Sequence, residues 1–298
     1  MTRLTLNVTE ADGGRRVKYL IRSALGVSQA QYTRAKLRDG VKLNGQTALA
    51  NDTVRAGDLL EITLEETDPP AKTVLPEEGD VPIVYEDDQI LIIDKPAPLA
   101  CQASDRQPTG TLENRLARLC GADFVFRPLN RLDKGTSGLM AAAKTAHAAQ
   151  KLQRLLHTPD FRREYLAAAE GILTGGGVWN APIAKEEAAT VRRVIDWERG
   201  RPAVTHWQAL AHGNGRTLLR LRLETGRTHQ IRVHASAAGH PLVGDFLYGT
   251  ETAELPGRFA LHSAYLSLIH PVTGERMAWE SPMPEILKRL LDPPEGKQ

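Results

Sequence analysis

The groups best able to do chemistry are concentrated in one run, Arg127-Pro128-Leu129-Asn130-Arg131-Leu132-Asp133-Lys134-Gly135-Thr136-Ser137-Gly138-Leu139. Its carboxylate, Asp133, stands among bases, glycines and hydroxyls in a stretch dense in turn formers, which places it on a loop. One ionised carboxylate can attack an electrophilic carbon covalently or remove a proton as a general base, and the residues leave both open. A glycoside hydrolase would want two cooperating carboxyls, and this motif offers one. Taken by itself, an Asp before Thr-Ser-Gly is also an ordinary capping or turn residue. A second group of chemistry-bearing types, His229, His234, His240 and Asp245, invites a metal. The five-residue step from His229 to His234 fits neither one helix face nor one strand face, so no metal is expected. No G-x-G-x-x-G follows a strand pattern and no G-x-x-x-x-G-K-[ST] occurs, so no nucleotide cofactor is signalled and none is expected.

The elements that must hold Asp133 can be read on either side of it. Ile83 to Lys95 reads as strand, acidic turn, strand, with Ile90 to Ile93 an apolar run suited to burial, ended by Pro96 and Pro98. A helix is expected over Leu112 to Leu119, where Leu112, Leu116 and Leu119 share a face, and another after Thr145 with Ala149, Leu152, Leu155 and Leu156 inward. Strand patterns return at Tyr165 to Ala169, Leu218 to Leu223, Tyr265 to Ile269 and Met277 to Trp279. Many short strands without a repeated βαβ unit predict an α+β domain on a mixed sheet.

At 298 residues the chain is long enough for about two domains. A composition 41% hydrophobic and 25% charged, with no run near the 18 or so apolar residues of a spanning helix, predicts no membrane partner. Residues 1–14 lack the apolar stretch of a signal peptide, and Cys101 and Cys120 read as reduced thiols, so a cytoplasmic protein is expected. Nothing marks an oligomer, and a monomer is expected.

The net charge of +2 hides an asymmetry: residues 14–42 carry eight basic side chains, Arg16, Lys18, Arg34, Lys36, Arg38 and Lys42 among them, against Asp39 alone. Val17, Leu20, Ile21, Ala24 and Leu25 follow one helix face. Ser28 is placed to cap a second helix that Gly40 would stop, and Val41 and Leu43 lead into the Asn44-Gly45 tight-turn signal before a closing strand with Leu60, Ile62 and Leu64. The Pro- and acid-rich residues 67–80 predict a linker between a first domain, 1–66, and a second, 81–298. Basic side chains on two helices and a loop can meet a phosphate backbone as a surface.

The order of elements, with LRDGVKLNG after the second helix and AGDLLEITL at the end, resembles the S4 RNA-binding domain over residues 14 to 65. RLDKGTSGL at 131–139 resembles the defining R-L-D-x-x-T-S-G-L motif of the RluA/RluD family of pseudouridine synthases. Further blocks follow in that family's order: EDDQILIIDKPAPL, RREYLAAAEG, GRPAVTHWQAL, LETGRTHQIRVHASAAGHPLVGDFLYG and LHSAYLSLIHPVTGE, together spanning nearly all of 81 to 284. Asn130 stands where the family often has His, and Pro98 and Cys101-Gln102 replace its usual Gly and His-Pro.

The resemblance implies the pseudouridine synthase fold, a mixed and largely antiparallel central sheet with flanking helices, behind a small α+β S4-like domain. It implies isomerisation of uridine in structured RNA: the N1–C1′ bond breaks, the uracil turns, and C5 takes over. Ribosomal RNA of the large subunit is the expected substrate, with transfer RNA left open. Asp133 maps onto the family's catalytic aspartate, Arg232 onto its ion-pair partner and Tyr165 onto the active-site tyrosine. A carboxylate needs such a partner to stay charged in a site that excludes water, because burial alone would raise its pKa. The target base must be extruded from its stack. Arg131 is the candidate to fill the vacancy, and Arg227, His229 and Gln230 are expected to line the site or touch RNA. Arg216, Arg220, Arg222, Arg227 and Arg232, opposed only by Glu224, read as a positive wall. The rival reading is a non-catalytic RNA-binding or ribosome-assembly protein that keeps the fold.

Overall fold

A computed structural model of the chain describes residues 1–65, 74–121, 124–187 and 189–292. The first unit contains β1 (Thr2–Asn7), α1 (Val17–Ser23), α2 (Gln29–Leu37), β2 (Val41–Leu43), β3 (Gln46–Thr47) and β4 (Leu59–Leu64), with the sheet in the order β1-β4-β2-β3. Val17, Leu20 and Ile21 on α1 are buried against Leu60 and Ile62 on β4, as the 3.6-residue period requires. Ser28 and Gln31 form a reciprocal capping box at the start of α2. The left-handed residue that ends α2 is Asp39, with φ 55°, and not Gly40. Gly40 is needed for a different reason: a methyl there would lie 3.0 Å from the Thr63 carbonyl and 3.1 Å from that of Ala35, whose oxygen accepts from the Gly40 N–H. Strand β1, which the reading of 14–65 left out, supplies the outer edge through alternating Leu4 and Leu6.

Of the stretch expected as linker, 67–73 lie outside the described residues, and 74–80 are hydrogen-bonded to the second unit. Asn114 donates to the Leu75 carbonyl at 2.8 Å, and its own carbonyl accepts from the Glu77 N–H at 3.0 Å.

The second unit is built on β5 (Ile83–Glu86), β6 (Ile90–Lys95), β7 (Arg127–Pro128), β8 (Ser137–Ala143), β9 (Phe161–Glu170), β10 (Gly176–Asn180), β13 (Val204–Gly213), β14 (Arg216–Leu223), β15 (Leu261–Ile269) and β16 (Arg276–Glu280), with β11 (Ile183–Lys185) and β12 (Arg193–Ile195) as a separate ribbon. The main path runs β10-β13-β14-β9-β15-β8-β6-β5, every pair antiparallel except β8 with β15. Helices α3 (Leu112–Cys120) and α5 (Gln230–Ala237) pack on one face and α4 (Ala146–Leu155) on the other, and α6 (Glu285–Lys288) lies near the end of the chain. Ile90 to Ile93 need no polar alternation because both faces are covered: Leu91 and Ile93 meet Leu112 and Leu116 of α3, while Ile90 and Ile92 join Leu152 of α4. Leu119, expected on the buried face of α3, is 59% exposed, at the edge of the helix's buried arc, while Ala117 and Cys120 of the same turn face inward.

His147, in the first turn of α4, is 1% exposed, and neither ring nitrogen has a partner among the described residues. Burial brings its pKa from 6.5 to about 4. Between these values the unfolded chain binds the proton and the folded one does not, so stability falls as pH drops from about 6.5 towards 4. At pH 4.5 the cost relative to pH 7 is about 2–3 kcal/mol, at 1.36 kcal/mol per unit. Urea midpoints for wild type and His147→Leu should diverge in this window, the wild type losing more. Parallel losses would refute the assignment.

Candidate active site

The sheet register brings the Asp133 loop to its counterparts. Where β8 begins, Ser137 and Gly138 pair in parallel with His262 and Ser263 of β15, and Ser263 lies opposite Tyr165 of β9. Gly138 has φ 105°, and a methyl there would come 2.3 Å from the Ser263 carbonyl oxygen, so only glycine allows this crossing.

The loop itself is held by its backbone. The Leu132 carbonyl accepts from the Cys101 thiol at 3.0 Å, the Asp133 carbonyl from the Thr136 N–H at 3.0 Å, and the Lys134 carbonyl from the Leu99 N–H at 2.9 Å. Beneath it Lys95, with no exposed surface, donates to the carbonyls of Leu99 at 2.7 Å, Pro96 at 2.9 Å and Lys134 at 3.5 Å. Burial lowers the Lys95 pKa from 10.5 to about 8. Asn130 accepts the Ala141 N–H at 3.0 Å, which ties the start of the loop to β8.

The Asp133 carboxylate, about a quarter exposed, receives Arg232 Nη1 at Oδ2 at 3.3 Å. Arg232 projects from α5 and is 3% exposed. Asp245, fully buried, grips it from behind: Nε to Oδ2 at 2.7 Å and Nη2 to Oδ1 at 2.8 Å. The Asp245 Oδ1 also accepts the Leu247 and Tyr248 N–H groups, and the guanidinium lies 4.0 Å from the centre of the Phe259 ring. One cation therefore faces two carboxylates, one sealed and one open to solvent. Asp245 was visible in the sequence only as a metal-ligand type, and its fixing role was missed.

Tyr165 is 5% exposed and lines the same cleft, with Leu132, Thr136, Leu223, Ile231 and Leu261. Burial raises its phenol above the ordinary value, which keeps it neutral. His229 enters α5 in the left-handed conformation, with Nδ1 2.8 Å from the Tyr248 hydroxyl and Nε2 3.9 Å from Asp133 Oδ2. Burial lowers its pKa, so the ring is neutral at neutral pH. Gln230 also lines the cleft. Its carbonyl accepts from the Thr225 hydroxyl and the Arg227 N–H, and its amide donates to the Val204 carbonyl and the Thr205 hydroxyl, so it staples the 225–230 turn to β13. Arg227 lines the cleft with Nε donated to the Pro202 carbonyl, and exposed Arg131 stands at the mouth without an ion pair among the described residues.

The expected positive wall divides. Arg232 is buried behind the carboxylates, and Arg216 is paired with Glu254 at 2.7 Å and lies near Glu170, which leaves Arg220 and Arg222 exposed on one face of β14. In the first unit, Arg38 pairs with Glu65 and Lys42 lies 3.8 Å from Asp39, while Arg16, Lys18, Arg34 and Lys36 lie on or beside the two helices. Among the described residues no helix is long and apolar enough to cross a membrane.

The cleft thus holds a solvent-accessible carboxylate beside a buried guanidinium and a neutral phenol, groups chemically able to serve as nucleophile or general base. Residues 89–237 match the family model described as RNA pseudouridylate synthase. The chain is 39% identical to ribosomal large subunit pseudouridine synthase D of Haemophilus influenzae, covering 88% of this chain and 87% of that protein. It is 36% identical to the uncharacterized RNA pseudouridine synthase YhcT of Bacillus subtilis, covering 96% of each. The solved structure of human RNA pseudouridylate synthase domain containing 1 superposes with a TM-score of 0.56 at 29% identity, covering 69% of this chain and 86% of that one. The chain belongs to the RNA pseudouridylate synthase family and is an isomerase acting on RNA.

Proposed function

We propose that this enzyme converts uridine to pseudouridine in large-subunit ribosomal RNA, with Asp133 as the catalytic group acting on an extruded nucleotide. The observation that carries this reading is the Asp133 carboxylate, open to the cleft and 3.3 Å from Arg232, with Tyr165 on the same wall. Arg232 fixes the position of the Asp133 carboxylate in the cleft. The carboxylate then either attacks the sugar or base, or removes a ribose proton, as the N1–C1′ bond breaks. Tyr165 offers its ring face to the freed uracil while it turns; C5 then bonds to C1′ in place of N1, C5 gives up its proton, N1 takes one up, and the Asp133 carboxylate is released unchanged. Since the product is an isomer, no oxidant or phosphoryl donor is consumed. Arg131, at the mouth, takes the place of the departed base in the RNA stack.

The first unit acts as an S4-like RNA-binding domain, with Arg16, Lys18, Arg34 and Lys36 towards phosphates. Large-subunit RNA is favoured because several relatives carry that activity in their names. The test is pseudouridine mapping of ribosomal and transfer RNA from cells with and without the gene. Loss of at least one large-subunit site is expected on deletion. Loss confined to transfer RNA would replace the substrate, and no loss in either RNA would overturn the reading.

A further inference from the structure

Next to the Asp133 cleft lies a larger one, of about 710 Å³, bounded by the loop Leu156–Pro159, the start of β9, the end of β14 and the strands β15 and β16. The two share Leu223 as a common wall. Arg163 and Tyr165 are both inward-facing residues of β9, two positions apart and so about 7 Å along the strand. Arg163 is 8% exposed, yet its Nε has no partner among the described residues, and Ser267, 1% exposed on the same lining, has an unpartnered hydroxyl. Buried polar groups left open in this way call for a ligand or water to complete them. Phe161 backs the Arg163 guanidinium, its ring centre 5.5 Å from Cζ.

The remaining charges have partners with one exception. Arg162 pairs with Glu164, Arg276 with Asp160, and the one acid in the lining, Glu224, with His206. Arg222 has no hydrogen bond or ion pair among the described residues and stands exposed at the rim. Tyr265, partly exposed, lines the same cleft. Arg222 and Tyr265 both pair with Glu164 from neighbouring strands and so share one sheet face; an open guanidinium near an aromatic ring is the arrangement that single-stranded nucleic acid uses, phosphate on the cation and base on the ring.

We propose that this cleft is a second RNA subsite, holding the nucleotide adjacent to the target uridine, with Arg222 on its phosphate and its base stacked on Tyr265. The inference rests on the assignment of the Asp133 cleft to the reacting uridine. Its test uses the full-length enzyme, an unmodified transcript of large-subunit ribosomal RNA, and the accessible variants Arg222→Ser and Tyr265→Ala. Tyr265→Ala should raise KM roughly tenfold with a much smaller change in kcat, since one base–aromatic stack is lost. Arg222→Ser should lower the slope of log Kd against log salt by about 0.7, the release expected for one single-strand phosphate contact. The same changes should appear in Kd measured on an Asp133→Asn background, where no turnover occurs. An active wild type whose variants keep its KM, Kd and salt slope would overturn the subsite alone. A wild type that forms no pseudouridine on any RNA would overturn the Asp133 assignment and the subsite with it.

Discussion

Replacing Asp133 by Asn is expected to lower pseudouridine formation by at least a thousandfold while leaving the fold and the RNA affinity near those of wild type. Removal of a nucleophile or base from sites that depend on one costs factors of about 10⁴–10⁶ in kcat, so a thousandfold is a cautious bound. The amide keeps the shape of the side chain, and its oxygen can still accept Arg232 Nη1, now without a charge. What is lost is the anion, and no other carboxylate lines the cleft to replace it. The loop does not depend on that anion, because it is held through the carbonyls of Leu132, Asp133 and Lys134. Melting temperature, Kd and initial rate on one transcript check the three parts together. An Asn variant with a tenth of wild-type turnover would remove Asp133 from the mechanism.

The second large effect concerns Arg232. Arg232→Met should abolish activity and also destabilise the protein by about 3–5 kcal/mol, because Asp245 would be left charged and sealed from water. The larger part of that loss belongs to the orphaned acid and not to the missing contact with Asp133, which is about a quarter exposed. Arg232→Met combined with Asp245→Leu should therefore recover most of the stability without recovering turnover. Denaturant unfolding of the two variants separates these contributions. A double variant as unstable as the single one would show that the pair acts through packing on Phe259 and Tyr248 instead.

The distance between Asp133 and Arg232 along the chain explains why the sequence could name both residues but not join them by its own logic. Their pairing was available only through resemblance, whereas the turn-rich setting of Asp133 and the buried run Ile90 to Ile93 were legible from local chemistry. Local patterns say which face of an element is apolar, and so they served well for α1 and α4. They do not say where the buried arc of a helix ends, which is why Leu119 was misplaced, nor which like charges are already neutralised, which is why the arginine wall divided. Gln230 shows the same limit at one residue. An amide beside a basic turn has the composition of an RNA contact, and only the fold reveals that its carbonyl is engaged by Thr225 and Arg227 and its amide by Val204 and Thr205 of β13. Arg163 escaped notice for the opposite reason, since nothing in RREYL marks a guanidinium that is buried and still open on one side.

Lys95 grips oxygens that every amino acid possesses. An ammonium seated on main-chain carbonyls constrains the path of the neighbouring loops but not the identity of their side chains. Pro98 and Gln102 can thus depart from the commoner family residues without moving the carboxylate, whereas Cys101 adds a side-chain bond of its own to the loop. Substrate preference is free to drift in those loops across generations while the reacting group stays where it is.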